Sequence, residues 1–249
     1  PSSSISQALR EKLYHAAISL AKSVQYTSVG TMEFLVDAQE NFYFLEMNTR
    51  IQVEHPVTEC ITGLDLVKEQ IRVARGEKLS FTQEDLAING HSIEIRVCAE
   101  DPTNNFLPDI GNLRTYRIPQ GPGVRVDDAY EEGMDIPIYY DPMIAKLIVH
   151  AATREEAMER MVRAIDDYHI AGVKTTLPFC RYVMRHPAFT SGKFDTHFVK
   201  NHFNPQDLDH SDRDEMELAA LLAVRLVRER HTPAVVTEGG ANNRSGWKN

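Results

Sequence analysis

The 249-residue sequence is poor in several residue types, and each scarcity excludes a class of protein. Its three cysteines, Cys60, Cys98 and Cys180, are too few and too widely spaced for a disulfide framework or a zinc knuckle. We therefore expect buried or incidental thiols in a reducing compartment. No apolar run approaches the roughly 20 residues of a membrane-spanning helix, so we expect no membrane span. Positive charge is also scarce, because 27 Lys and Arg face 36 Asp and Glu, and the net charge of −9 argues against nucleic acid as the main partner.

The N-terminus lacks an initiating methionine, a basic segment and an apolar segment, which argues against a signal peptide. Because the chain starts at Pro1, we expect it to begin inside a longer polypeptide. What the sequence does contain is ordinary for a globular domain, with 42% hydrophobic and 25% charged residues. This composition excludes a collagen, a mucin-like stalk and a wholly disordered chain.

Hydrophobic periodicity predicts a chain that mixes helices and strands, which is the α+β class. The predicted helices cover residues 5–24, 64–75, 153–170, 175–186 and 212–230. The predicted strands cover residues 31–37, 42–48, 92–98, 112–118, 123–127 and 143–150. From residue 232 onward the composition is polar and rich in glycine, and we expect a disordered tail.

The two strands over 31–37 and 42–48 form a predicted hairpin that carries acidic residues. If Gln39 and Glu40 form a two-residue turn, Glu33 lies directly opposite Glu46, and Asn48 points to the same face as Glu46. Facing carboxylates destabilise a sheet, whereas a bound divalent cation would make the same pair favourable. Two carboxylates and an amide oxygen suit Mg²⁺ or Mn²⁺. The alternative is a register shifted by one residue, which leaves one glutamate on the solvent face.

The polar segment after the hairpin offers further chemistry. Arg50 presents a planar fork that fits a carboxylate, a bicarbonate or a phosphate, and Glu54 is a candidate base. His55 precedes Pro56, so we expect it to be extended and structural rather than catalytic. Arg96 alternates with the apolar residues of its strand, and it either is solvated or faces a cleft.

At these residues the sequence resembles a known family, the biotin carboxylases. These are the ATP-grasp components of acetyl-CoA, propionyl-CoA and pyruvate carboxylases. The resemblance covers roughly residues 8–203 and is strongest in the contiguous run from Glu46 to Glu59. Further similar blocks are residues 94–102, 106–108, 140–147 and 172–176.

The resemblance implies a metal and nucleotide site. Glu33, Glu46 and Asn48 match the family's ligands for Mg²⁺ or Mn²⁺ on the phosphates of ATP, and Glu33 and Glu46 thereby also count as ATP-binding residues. The glycine-rich lid and the phosphate-binding lysines of the family are not matched in this chain. We therefore expect the chain by itself to bind ATP weakly.

The resemblance also implies a substrate site and two-step chemistry. Arg50 matches the arginine at the bicarbonate and biotin site, and Gln52 and Val53 match positions that hold bicarbonate. Glu54 matches the base that deprotonates bicarbonate, and Arg96 matches the arginine that steadies carboxyphosphate and the biotin enolate. Bicarbonate attacks the γ-phosphate of ATP, and the resulting carboxyphosphate delivers CO₂ to biotin on a separate carrier.

The implied organisation is the C-terminal part of an ATP-grasp domain over residues 1–89 and the biotin carboxylase C-terminal domain over 90–203. An extra terminal helix over 204–231 and the tail over 232–249 follow. The implied partners are a second copy in a homodimer, a biotin carboxyl carrier protein or domain, and a carboxyltransferase subunit. The implied setting is an acyl-CoA carboxylase, for instance in fatty acid biosynthesis, or a pyruvate carboxylase, in the cytoplasm or the mitochondrial matrix.

Two other interpretations compete with this one. One is another ATP-grasp ligase, such as a carbamoyl-phosphate synthetase-like domain, although the segments 50–56 and 140–147 argue against it. The other is a non-catalytic piece that serves oligomerisation. The chain lacks a Met-Lys-Met biotinylation motif, so we do not expect it to carry biotin itself.

Overall fold

The computed structural model describes residues 4–137, 139–208 and 220–227. Residues up to His202 belong to one compact unit, and the residues from Phe203 onward belong to a second one. The described part of the second unit contains a 3₁₀ turn, Pro205–Leu208, and a helical stretch at 220–227. The predicted helix 212–230 is therefore seen over 220–227, while its other residues and the tail 232–249 lie outside the described residues.

The first unit alternates helices and strands, as the periodicity predicts. Its α-helices are α1 (Gln7–Ser23), α2 (His55–Thr62), α3 (Leu66–Ala74), α4 (Arg154–Asp166), α5 (Leu177–Arg185), α6 (Pro187–Thr190) and α7 (Phe198–His202). Its strands are β1 (Thr31–Val36), β2 (Phe42–Asn48), β3 (His91–Cys98), β4 (Glu100–Asp101), β5 (Leu107–Pro108), β6 (Gly111–Asn112), β7 (Thr115–Arg117), β8 (Val124–Asp128), β9 (Asp135–Ile136), β10 (Met143–Ala151) and β11 (His169–Ala171). No helix of the described residues is long and apolar enough to cross a membrane.

A three-stranded antiparallel sheet in the order β3-β10-β8 is the centre of this unit. One face of the sheet is apolar, because Ile95, Val97, Leu147 and Val149 are buried there and belong to the same core cluster as Met161 of α4. Side chains alternate along a strand, so the residues between these four point to the opposite face. That second face carries charged side chains, and α2 packs against it.

Local signals explain where several helices begin and end. The Ser6 hydroxyl accepts a hydrogen bond from the Leu9 amide at the start of α1, and Asp65 caps α3 through the Lys68 amide. The Thr153 hydroxyl accepts from the Glu156 amide at the start of α4. After α3 the chain reaches Gly76 with a φ of 80°, a left-handed conformation that glycine adopts without strain.

The predicted pairing of Glu33 with Glu46 is confirmed, but the turn predicted for the hairpin is wrong. Near the turn, Val36 pairs with Phe42, and the Glu40 amide donates to the Asp37 carbonyl, so the loop is not a two-residue turn at Gln39 and Glu40. A bulge between Glu33 and Phe34 then shifts the register by one residue. Because the two deviations cancel, Glu33 does lie opposite Glu46, as expected.

Three local predictions are wrong. The helix expected over 153–170 ends at Asp166, because His169–Ala171 pairs with β7 as strand β11. The short helix α2 is missing from the prediction. His55, expected to be extended before Pro56, is instead the first residue of α2, where its amide donates to the Gln52 carbonyl. Pro56 is buried, and α2 packs against β3.

Candidate functional site

The end of the hairpin brings two carboxylates and an amide to one point. Glu33 and Glu46 are direct cross-strand partners on β1 and β2. The Asn48 side-chain nitrogen donates to Glu33 Oε1 at 2.9 Å and to Glu46 Oε1 at 3.3 Å. One amide group thus lies between two carboxylate oxygens and offsets part of their repulsion.

The donor set at this point fits a small divalent cation. Carboxylate and amide oxygens are hard ligands, and Mg²⁺ commonly takes one or two protein carboxylates together with water and phosphate oxygens. No group of three or more His, Cys, Asp or Glu side chains arranged for a metal ion occurs among the described residues. Any cation held by Glu33, Glu46 and Asn48 therefore needs ligands from a bound substrate or water.

Arg50 and Gln52 extend this hydrogen-bonded group. The Arg50 guanidinium donates to Asn48 Oδ1 at 3.3 Å and to the Ile51 carbonyl at 3.1 Å. Gln52 Nε2 donates to Glu33 Oε1 at 3.4 Å. Arg50 remains exposed, so its remaining donors face solvent where an anion can reach them.

Glu54 and Arg96 form an ion pair beside this group. Glu54 lies just before α2 and Arg96 lies on β3, and their side chains meet at 3.1 Å although the residues are 42 positions apart. The side chains are 53% and 54% exposed, so the pair is open to a substrate. Arg96 thus lies on the charged face of the sheet, where it is half exposed and paired to Glu54.

Sequence reasoning missed a third charged residue at this place, Lys146 of β10. Its ammonium donates to the Val53 carbonyl at 3.2 Å and lies 3.4 Å from Asp127 of β8. Burial disfavours the ionised form of Asp127, but the hydrogen bond and charge of Arg125, together with Lys146, outweigh it and lower its pKa. A lysine inside the otherwise apolar run from Met143 to Val149 is the signal that could have identified it.

Glu94 is another charged residue of this face that the sequence did not single out. It lies two residues before Arg96 on β3, and burial raises the pKa of its carboxyl to about 7, against the opposing effect of Lys146. Its buried Oε2 has no hydrogen-bond partner in the described part of the chain. Glu94 therefore titrates close to neutral pH.

Glu59 and Arg125 anchor α2 to the same face. The Arg125 guanidinium donates to Glu59 Oε2 at 2.8 Å. Two of its other nitrogens donate to the Asp127 carboxylate at 2.7 and 2.8 Å. Glu59 is buried, and its other oxygen accepts from the Leu66 amide at 2.7 Å. These contacts hold the helix that directly follows Glu54.

The structure thus gathers every residue of the predicted site into two adjacent groups. Glu33, Glu46, Asn48, Arg50 and Gln52 share hydrogen bonds, as described above. The second group contains Val53, Glu54 and Arg96, together with Lys146. The segment from Gln52 to Glu54 joins the two groups along the backbone.

Comparisons with known proteins match both parts of the chain. The family model "Carbamoyl-phosphate synthase L chain, ATP binding domain" matches residues 1–82, and the model "Biotin carboxylase C-terminal domain" matches residues 94–201. Together the two models account for most of the chain. The second match favours the biotin carboxylases over the carbamoyl-phosphate synthetase-like alternative.

Similar whole proteins agree with this assignment. The chain is 48% identical over 202 residues to a biotin carboxylase of Halalkalibacterium halodurans, covering 81% of this chain and 44% of that protein. It is 54% identical over 199 residues to a pyruvate carboxylase subunit of Methanothermobacter thermautotrophicus, covering 80% of this chain and 40% of that one. The chain thus spans less than half the length of these relatives.

A solved structure shows the same fold. The biotin carboxylase domain of the Hydrogenobacter thermophilus 2-oxoglutarate carboxylase, a dimer in complex with MgADP, ADP and bicarbonate, superposes with a TM-score of 0.79 at 48% identity. The match covers 85% of this chain and 46% of that one. The predicted α+β class and the predicted family are confirmed. The chain therefore belongs to the biotin carboxylase family, and it combines part of an ATP-grasp domain with the biotin carboxylase C-terminal domain.

Proposed function

We propose that the protein containing this chain carboxylates biotin on a carrier, using ATP and bicarbonate by way of carboxyphosphate. The observation that supports it most is that Glu33, Glu46 and Asn48 share hydrogen bonds with each other and with Gln52, two residues before the Glu54 that pairs with Arg96. The first group suits a metal-bound phosphate, and the second places a carboxylate base and a cation side by side. The solved relative that contains MgADP and bicarbonate supports the same pairing of ligands.

Glu33, Glu46 and Asn48 are the residues that would hold Mg²⁺ or Mn²⁺. The bound ion would supply charge neutralisation at the phosphate oxygens during transfer. Asn48 now donates to both carboxylates through its nitrogen, so its side-chain amide must rotate to offer Oδ1. Arg50 Nη2, which contacts that Oδ1, would then be released toward the substrate anion.

The segment from Arg50 to Glu54 would bind and activate bicarbonate. Arg50 and Gln52 donate hydrogen bonds, and the Val53 backbone completes the pocket. Glu54 takes the bicarbonate proton while a bicarbonate oxygen attacks the γ-phosphorus of ATP, and the bond from that phosphorus to the ADP oxygen breaks. Arg96, held beside Glu54, then stabilises negative charge on carboxyphosphate and on the biotin ureido oxygen.

Biotin reaches this site on a partner, according to the proposal. The partners are a biotin carboxyl carrier protein or domain and a carboxyltransferase subunit, and the chain assembles as a homodimer. The curated relatives include pyruvate, propionyl-CoA and 2-oxoglutarate carboxylases, so the final acceptor is an acyl-CoA or a keto acid. We place the protein in the cytoplasm, or in the mitochondrial matrix of a eukaryote.

The test is ADP release by the complete gene product that contains residues 1–249. Wild-type protein should hydrolyse ATP faster when free biotin is added, provided that bicarbonate and Mg²⁺ are present. Glu54→Gln keeps the size of the side chain but removes the base, and we expect it to lower biotin-dependent turnover by about 100-fold or more. An unchanged rate would refute the base assignment.

The matched control for this test is Glu159→Gln. Glu159 is exposed on α4, which packs against the opposite face of the central sheet. The same chemical change there should leave turnover within about twofold. A loss of activity in both variants would mean that the rate reports overall damage to the fold.

A further inference from the structure

Lys146 occupies an unusual position for a charged residue. It lies in the middle of the central strand β10, between the buried residues Ala145 and Leu147, and its side chain is 13% exposed. A buried ammonium is costly unless hydrogen bonds and an opposite charge compensate it. Lys146 has both, because its ammonium donates a hydrogen bond to the Val53 carbonyl at 3.2 Å and lies 3.4 Å from Asp127.

The register of the sheet gives Lys146 a defined relation to Arg96. Lys146 pairs directly with Arg96 of β3 on one side and with Asp127 of β8 on the other. Arg96 binds the side chain of Glu54, while Lys146 binds the carbonyl of Val53. Two neighbouring residues of the sheet therefore hold two successive residues of the substrate-binding segment.

Lys146 is the better fixed of these two anchors. Arg96 is about half exposed, so solvent or substrate can compete for it. Asp127 restrains Lys146, and the Arg125 fork in turn holds Asp127 by two hydrogen bonds. A cation fixed in this way can set the orientation of the Val53–Glu54 peptide without touching the reacting atoms.

We propose that Lys146 is a positioning residue, which holds the Val53 carbonyl so that the peptide after it and the Glu54 side chain face bicarbonate. The inference rests on the proposed function, because it assigns the segment from Gln52 to Glu54 to bicarbonate. The positioning role adds a residue of the C-terminal domain to a site whose other residues come chiefly from the hairpin and the loop after it. Asp127 supports this role through its ion pair with Lys146.

The test compares Lys146→Met and Lys146→Arg in the complete gene product. Methionine keeps the length of the buried stem but cannot donate to Val53, so the KM for bicarbonate should rise about tenfold or more. The KM for ATP should stay within about twofold, because the residues proposed to bind metal and nucleotide do not contact Lys146. Arginine can still donate to the carbonyl and should restore a large part of the bicarbonate affinity.

The matched control is Lys174→Met. Lys174 is also ion-paired, to Asp101 at 2.5 Å, and its backbone amide donates to Asp109. Its replacement should leave both KM values unchanged. Equal KM increases for ATP and bicarbonate in Lys146→Met would show general damage and would overturn the proposal.

A second measurement does not depend on activity. In Lys146→Met, amide hydrogen exchange of the peptide covering residues 51–58 should be faster than in wild type, and unchanged exchange would contradict the anchor. If Lys146→Met fails to fold, Asp127→Asn should show the same selective rise in bicarbonate KM to a smaller degree. If the wild-type protein shows no biotin-dependent turnover, the proposed function is refuted. If the wild type is active and Lys146→Met has an unchanged KM for bicarbonate, only the positioning role is refuted.

Discussion

Glu33 and Glu46 face each other as direct partners on two antiparallel strands, with the Asn48 amide donating to both. Like charges in this position destabilise a strand pair, by about 0.5 kcal/mol. The bulge between Glu33 and Phe34 is what sets this pairing, since the register nearer the turn is offset by one residue. The hairpin thus holds an arrangement that is unfavourable alone and favourable around a cation.

Glu46→Gln is therefore expected to affect stability and activity in opposite directions. Without metal, removal of one charge should raise the free energy of unfolding by about 0.5 kcal/mol. In the complete gene product, the same change should sharply reduce biotin-dependent ATP hydrolysis and raise the Mg²⁺ concentration that it needs. Chemical denaturation in EDTA and steady-state kinetics measure the two effects, and unchanged activity would contradict the metal-ligand assignment.

Glu94→Gln should change how stability depends on pH. The pKa of Glu94 is raised from 4.5 to about 7 in the folded chain, chiefly by burial. Its stabilising contribution is thus fully present below about pH 4.5 and is lost as the pH rises through about 7. Glutamine cannot ionise, so the variant should be as stable as wild type at low pH and more stable near pH 8. We expect a difference of about 2 kcal/mol near pH 8, because one pKa unit corresponds to about 1.4 kcal/mol and solvent screens part of the charge.

Urea unfolding of both proteins at about pH 4.5 and about pH 8 measures this difference. The groups that face Glu94 are Lys146, Glu54, Arg96 and Asp127, and all of them remain in the variant. Equal gains at the two pH values would show that packing, rather than ionisation, distinguishes Gln from Glu.

Arg125→Met should destabilise the fold by removing the partner of a buried carboxylate. Glu59 is 9% exposed and would keep only the Leu66 amide, while Asp127 would lose its two hydrogen bonds to the guanidinium. We expect a loss of about 2 kcal/mol, because Arg125 itself is partly exposed. Adding Glu59→Gln should recover about 1 kcal/mol of this loss, and a double variant no more stable than Arg125→Met would contradict the charge-based explanation.

The thiols of Cys98 and Cys180 should react slowly with alkylating reagents. Burial raises the pKa of Cys98 to about 11 and that of Cys180 to about 12, from 9.0. At pH 8 the folded chain should therefore contain about 100-fold less thiolate at Cys98, and about 1,000-fold less at Cys180, than the unfolded chain. Mass spectrometry after timed iodoacetamide treatment measures the rates, and comparable labelling of native and denatured protein would refute the prediction.

Much of the fold could be predicted because it depends on local patterns. Short runs rich in aromatic and apolar residues predicted the hairpin strands, and similar runs between Pro and Gly predicted the main strands of the central sheet. Caps such as Thr153 marked helix starts. The turn after Val36 was predicted wrongly, and the pairing of Glu33 with Glu46 was right because a bulge cancelled that error. Bulges have no reliable local signature, so sequence alone left the register open.

The remainder of the site depends on contacts between distant parts of the chain. Helix α2 was missed because a proline at its second position disfavours helix at His55, and the packing of α2 against β3 overrides that local preference. The pairing of Glu54 with Arg96 spans 42 residues, and that of Lys146 with Val53 spans 93. Resemblance to a family predicted Arg96. The apolar run around Lys146 marks it as unusual, but its contact with Val53 is defined only once β10 lies between β3 and β8.

The most direct measurement of the central claim follows the carbon of isotopically labelled bicarbonate in the complete gene product. With ATP, Mg²⁺ and biotin present, the account predicts label in carboxybiotin, and omission of any one of the three should abolish it. Glu54→Gln should abolish labelling of biotin, while Glu159→Gln should not. Hydrolysis of ATP that depends on bicarbonate but leaves biotin unlabelled would contradict the account and would point to a different acceptor for the activated carboxyl group.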